Sequence, residues 1–75
     1  MRRLGGVVRI AAGTVLARSP DESYPDIGTD VIDERLDHVG RVVDVIGPVE
    51  RPYLVIAPRG VDPPVGLLNE PVYAR

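Results

Sequence analysis

The sequence predicts an all-β domain, a small closed barrel of six strands. Glycine and proline make up 16 of the 75 residues and divide the chain into short segments, which favours strands and turns over long helices. The apolar residues between these breaks are mostly valine, isoleucine and leucine, and no segment shows a convincing amphipathic helix. Six strands in so short a chain cannot form two large packed sheets. Closing them into one barrel hides the strand edges and fills the interior with aliphatic side chains.

The first half of the chain contains three predicted strands. Residues 6–11 and 14–18 are short and rich in β-branched side chains, and the turn expected at Ala12-Gly13 lets the second strand pair back on the first. Residues 19–25 contain proline, acids and serines and predict a polar loop. Residues 27–33 are a third extended segment.

A fourth strand is predicted at residues 39–46, after a single helical turn or loose loop at residues 34–38. The odd-numbered residues of this strand should lie on one face and the even-numbered residues on the other. Residues 47–52 are the strongest turn signal in the chain, because Pro48 and Pro52 have no N–H to donate to a central sheet.

The remaining chain predicts two further strands. Residues 53–57 form the fifth, and residues 58–64 are irregular. The last segment ends in a short sixth strand at residues 71–73, with Pro71 at its edge. We therefore expect residues 1–75 to form a single domain.

Composition excludes the usual covalent and metal supports of a small fold. The chain has no cysteine and a single histidine, His38, so neither disulfides nor a structural zinc site are expected. No cofactor is predicted. A domain of this size buries a modest core, and small domains without such supports often rely on a partner for stability.

Charge is unevenly distributed along the chain. Residues 1–18 carry four arginines and no acid, residues 19–50 carry nine acids against two arginines, and the whole chain is at −2. A nucleic-acid-binding domain usually presents a basic face. This chain offers a small basic N-terminal edge, formed by Arg2, Arg3, Arg9 and Arg18. All nine basic residues are arginine, which is typical both of GC-rich coding and of adaptation to high salt.

The polar residues predict no catalytic site. Carboxylates cluster at residues 30–34, where a strand meets a turn, and we interpret them as solvated turn residues rather than as a converging acid–base pair. Asp44 is interpreted as a surface partner of Arg41, and His38 as structural. No phosphate-binding or dinucleotide-binding glycine motif occurs, and the serines lack an activating motif. The chain is therefore expected not to be an enzyme.

The N-terminal segment does not predict export. Its basic start and apolar run imitate a signal peptide, but Arg9 interrupts the run. No stretch approaches the ~18 apolar residues of a membrane span. We expect a cytoplasmic protein that does not contact the membrane.

The proline-framed turn is the best candidate for a binding surface. A rigid loop presenting Ile46, Val49 and Tyr53 would be a preorganised apolar patch, and rigid loops bind at a lower entropy cost. The alternative is a barrel corner packed inward. Spacing does not decide between the two.

Four segments of the chain resemble the Gar/Naf family of H/ACA ribonucleoprotein subunits, and more narrowly its archaeal Gar members. They are residues 25–28 (PDIG), 31–33 (VID), 39–49 (VGRVVDVIGPV) and 52–55 (PYLV). This ordered series is specific and covers residues 25–55, whereas the two ends of the chain match loosely.

The resemblance implies a six-stranded barrel and a role in RNA-guided pseudouridylation of rRNA, a part of ribosome biogenesis. In H/ACA particles the family's subunit is not the catalyst. It binds the catalytic pseudouridine synthase subunit away from the guide RNA and influences substrate loading, turnover and product release. Guide and substrate RNA would then be indirect partners. On this reading the docking residues are Ile46, Gly47, Pro48, Val49, Pro52 and Tyr53.

Three departures from the family pattern bear on this expectation. Arg41 stands where lysine is frequent, Ile46 stands where an aromatic residue is frequent, and the Gly-Arg-rich flanks of eukaryotic members do not occur. Two alternatives stay open. One is a stand-alone RNA-binding barrel that uses Arg2, Arg3, Arg9 and Arg18, and the other is a translation-factor-type barrel with an unrelated partner.

Overall fold

A computed structural model of the chain describes residues 2–11, 13–58 and 65–75. Within this part, six antiparallel strands close into a barrel in the order β1-β2-β5-β4-β3-β6, as predicted. The expected turn residue Ala12 and most of the expected irregular segment, residues 59–64, lie outside the described residues. The strands are β1 (Arg2–Ala11), β2 (Thr14–Arg18), β3 (Asp30–Asp33), β4 (His38–Ile46), β5 (Tyr53–Pro58) and β6 (Pro71–Ala74), with a 3₁₀ turn at Val65–Leu67 before β6.

Three strand starts differ from the prediction, and that of β4 does so by one residue, since β4 begins at His38. Strand β1 begins four residues early, because residues 2–6 pair with β6. Strand β3 begins at Asp30 rather than at residue 27, since the preceding residues turn beside β4. The segment before β4, predicted as a single helical turn or a loose loop, is a tight turn in which Leu36 adopts a φ of 68°.

The two long strands, β1 and β4, each change neighbours along their length. The first half of β1 pairs with β6 and the second half with β2. Likewise β4 pairs first with β3 and then with β5. The barrel thus consists of two four-stranded halves that share β1 and β4, with strands bending at the corners as in orthogonally packed sheets.

β-Bulges in the long strands make this bending possible, and they change which residues face the core. The register of β1 shifts near Leu4 and Val8, and that of β4 shifts near Val39 and Val43. The predicted strict alternation of β4 is therefore wrong, because each extra residue reverses the inward and outward sides. Core-facing residues recur at every third position instead: Leu4, Val7 and Ile10 on β1, and Val39, Val42 and Val45 on β4.

Two glycines allow neighbouring strands to approach at the corners. A Cβ added at Gly5 would overlap the carbonyl oxygen of Arg18, and one added at Gly40 would overlap that of Ala57. Only glycine permits so close a backbone contact. The core enclosed by these corners is aliphatic and includes fully buried Val15, Val31, Leu54, Ile56 and Val72.

In the part of the chain that the structure describes, no helix is long and apolar enough to cross a membrane.

Candidate functional site: an apolar groove beside the proline-framed turn

The turn between β4 and β5 presents its tip to solvent, as a docking loop requires. Val49 is 80% exposed and Pro48 is exposed, whereas Pro52 is buried at the base of the turn. Gly47 has a φ of 90°, and a Cβ there would lie 2.8 Å from Cδ2 of the Tyr53 ring. Both constraints require glycine at this position.

A buried serine fastens the preceding loop to this turn. The Ser19 hydroxyl lies within donating distance of the carbonyl oxygens of Asp21 (2.8 Å) and Ser23 (2.6 Å). The backbone N–H of Ser19 donates to the carbonyl of Pro52 at 2.9 Å, and Nε of Arg51 donates to the Ser19 carbonyl at 3.3 Å. The polar loop that the sequence predicts is present, and it is held in place rather than loosely attached.

The end of this loop runs beside β4 and forms a second wall. The N–H of Gly28 donates to the carbonyl of Val42 at 2.7 Å, and the N–H of Val42 donates to the carbonyl of Thr29 at 3.0 Å. This pairing places Ile27 next to the last residues of β4. Tyr24 and Ile27 are 58% and 59% exposed, and it is their position beside the exposed residues of β4, as part of one apolar patch, that marks them as candidates for binding.

Together the two walls enclose an open groove of about 490 Å³. Its apolar lining includes Tyr24, Ile27, Ile46 and Val49, four of the eight large hydrophobic side chains that are exposed among the described residues. Asp26 and Asp44 lie at its margin and give it an acidic border. A groove of this kind fits an apolar segment with basic neighbours better than it fits phosphate.

Five of the six predicted docking residues line the groove: Ile46, Gly47, Pro48, Val49 and Pro52. The sixth, Tyr53, does not. Its ring packs near Gly47, and the guanidinium of Arg18 lies 5.1 Å from its centroid. Sequence reasoning missed Tyr24, Pro25 and Ile27 as lining residues, although the PDIG segment that carries the family resemblance was a signal for two of them.

The four arginines of the predicted basic edge lie on the neighbouring strands β1 and β2. Arg2 and Arg3 lie at the start of β1 and line a small pocket together with Asp21. Arg9 lies toward the opposite end of β1, and Arg18 covers Tyr53.

The carboxylates near residues 30–34 have structural surroundings, and one of them differs from the prediction. Asp33 is buried rather than solvated, and its Oδ1 accepts the N–H groups of Arg35 (2.8 Å) and Asp37 (3.0 Å). Asp30 is exposed and lies 3.5 Å from Nε2 of His38. Asp33 therefore caps the β3–β4 turn.

Asp44 is also not paired as predicted. Its carboxylate accepts the N–H of Val45 at 2.8 Å, and it forms no ion pair with Arg41, which is described as well. Among the described residues, no three histidine or carboxylate side chains come together as a metal site would require.

Comparisons with models of known protein families and with curated proteins find no match for this chain.

Proposed function

We propose that this chain is a non-catalytic subunit that docks on the pseudouridine synthase subunit of an H/ACA particle and assists substrate loading and product release. The observation that carries the proposal is the groove, whose Tyr24, Ile27, Ile46 and Val49 side chains are exposed and close together. The resemblance of residues 25–55 to the Gar/Naf family supplies the identity of the partner.

The uncovered groove leaves apolar side chains exposed to water, and a partner that covers them would lower this free-energy cost. Fully burying a large aliphatic side chain contributes on the order of 1.5–3 kcal/mol. The groove side chains are already partly covered, so a partner that fills the groove would gain part of this amount from each of them. The walls are already held by backbone hydrogen bonds, from Gly28 to Val42 and from Ser19 to Pro52. Little ordering is then needed on binding, which favours affinity.

The test is a titration of the purified chain against an archaeal H/ACA synthase subunit, with and without nuclease treatment. We expect binding that does not depend on RNA. Binding that disappears after nuclease treatment would instead favour the stand-alone RNA-binding alternative. Absence of binding in both conditions would refute the proposed partner.

A further inference from the structure

A second exposed surface lies on the outer face of the half-barrel formed by β1, β2, β5 and β4. One row of directly opposed residues crosses all four strands: Arg9 faces Leu16, Leu16 faces Val55, and Val55 faces Asp44. Directly opposed residues of neighbouring strands share a face. The residues that flank this row on β2 and β5 are buried in the core, so the row itself points outward.

This row has a positive end, an aliphatic middle and a negative end. Leu16 and Val55 are half-buried, and the two bulge residues Val8 and Val43 are 45% and 46% exposed beside them. Neither Arg9 nor Asp44 forms an ion pair with another described residue. The middle of the row is therefore aliphatic and its two ends carry opposite charges, while Arg18 and Arg41 lie on the same face in the neighbouring rows.

We propose that this face binds a second copy of the same chain. A two-fold axis parallel to the strands, between β2 and β5, places Arg9 of each copy opposite Asp44 of the other and Leu16 opposite Val55. An axis perpendicular to the strands would instead place arginine against arginine and carboxylate against carboxylate, which repel. The charges thus select one arrangement.

The size of the face predicts a weak dimer. Four strands span roughly 14 Å, and the outward residues extend about 15 Å along them. The area of the face, which is the product of these two lengths, is much smaller than the ~800 Å² per partner of a standard stable interface. We therefore expect a dimer that dissociates on dilution. The inference does not rest on the proposed function, but the two surfaces meet at Asp44, which also borders the groove. Arg9 and Val49 each belong to one surface alone, so their variants distinguish a failed dimer from a failed docking site.

Sedimentation equilibrium of the whole chain, from ~10 µM to ~1 mM at low salt, tests the proposal. We expect concentration-dependent dimers for the unaltered chain. Arg9→Asp alone and Asp44→Arg alone should each dimerise at least tenfold more weakly, since every dimer then contains two like-charge contacts. An equimolar mixture of the two variants should recover the dimer, because both contacts become attractive. Val49→Glu is the control and should dimerise like the unaltered chain.

Three results would overturn the proposal: a monomer throughout the concentration range, an unchanged dimer in Arg9→Asp, or a mixture of folded variants that remains monomeric. Thermal melts establish folding of each variant. Should Asp44→Arg fail to fold, Asp44→Asn retains an oxygen for the Val45 N–H and must still weaken the dimer. A monomer that loses RNA retention upon Arg9→Asp would reassign this face to nucleic acid.

Discussion

At the scale of single residues, exposure separates the side chains that stabilise the barrel from those available to a partner. Val49 is exposed at the tip of a turn, whereas Asp33 is buried beneath one. Val49 lies within a turn and Asp33 ends the strand before one, so their places in the sequence do not reveal this difference. Their substitutions should therefore affect different measurements.

Substitution of Val49 by glutamate should reduce docking without unfolding the chain. A carboxylate there would be desolvated against an apolar partner, at a cost on the order of 2–4 kcal/mol, equivalent to a loss of roughly 30-fold to 800-fold in affinity for the synthase. Stability should change by only about 0.5 kcal/mol. The measurements are a thermal melt and a titration against the synthase subunit.

Leu36→Glu is the matched control for this experiment. Leu36 is 63% exposed in the turn at the other end of β4, about 25 Å along the strand from the groove. It introduces the same charge and should leave the affinity unchanged. A collapsed melting temperature in Val49→Glu would show that Val49 supports the core, and an unchanged affinity would place docking elsewhere.

Substitution of Asp33 by alanine should destabilise the fold by about 1–3 kcal/mol, since the N–H groups of Arg35 and Asp37 would lose their buried acceptor. Asp33→Asn keeps an acceptor oxygen and should lose less than half as much. The ion pair between Asp33 and Arg35 contributes little to stability, because the Arg35 side chain is 78% exposed. Urea denaturation of both variants measures the difference; equal losses would contradict the capping role.

At the scale of strands, the bulged corners of β1 and β4 determine how the barrel closes. Each long strand must bend to serve two neighbours, and each bend brings a glycine against the backbone of the next strand. The bulges also put Val8 and Val43 outside while keeping the core continuous. Closure thus depends on a few positions where no side chain fits.

Gly40→Ala should be severely destabilising, because its methyl group would overlap the Ala57 carbonyl and separate β4 from β5. We expect a loss above ~3 kcal/mol, or no cooperative unfolding at all. Gly6→Ala is the control, since an added Cβ there meets nothing within 4 Å. Comparable melts for the two variants would show that the corner tolerates a wider strand spacing.

At the scale of the whole molecule, the distribution of charge favours protein docking over direct RNA binding. The chain is at −2, and nine acids lie between residues 19 and 50. Arg2, Arg3, Arg9 and Arg18 lie on two neighbouring strands and are outnumbered by these acids. The acidic border of the groove also opposes phosphate.

We therefore expect the isolated chain to bind RNA more weakly than ~1 µM at ~150 mM salt, as measured by filter binding across a salt series. Tighter binding with a steep salt dependence would support the RNA-binding alternative.

The same preparation should form no pseudouridine on any RNA, because we infer a docking role and no converging acid–base pair. An assay of substrate RNA with the chain alone, and again after adding a synthase subunit, checks this expectation. Activity without the synthase would refute the non-catalytic role.

The sequence by itself determined the six strands, the barrel and the position of the β4–β5 turn, but not whether that turn is exposed. These follow from local signals: β-branched segments, glycine and proline breaks, and the missing N–H groups of Pro48 and Pro52. Only the tertiary structure decided which side chains of β4 face the core and that Asp33 is buried. It also decided that Tyr24 and Ile27 form the second wall of the groove, and that a row of outward residues runs from Arg9 to Asp44. Each of these depends on which strands meet across the barrel. One extra residue at a bulge reverses every side chain beyond it, and local sequence does not encode where a distant strand requires that bend.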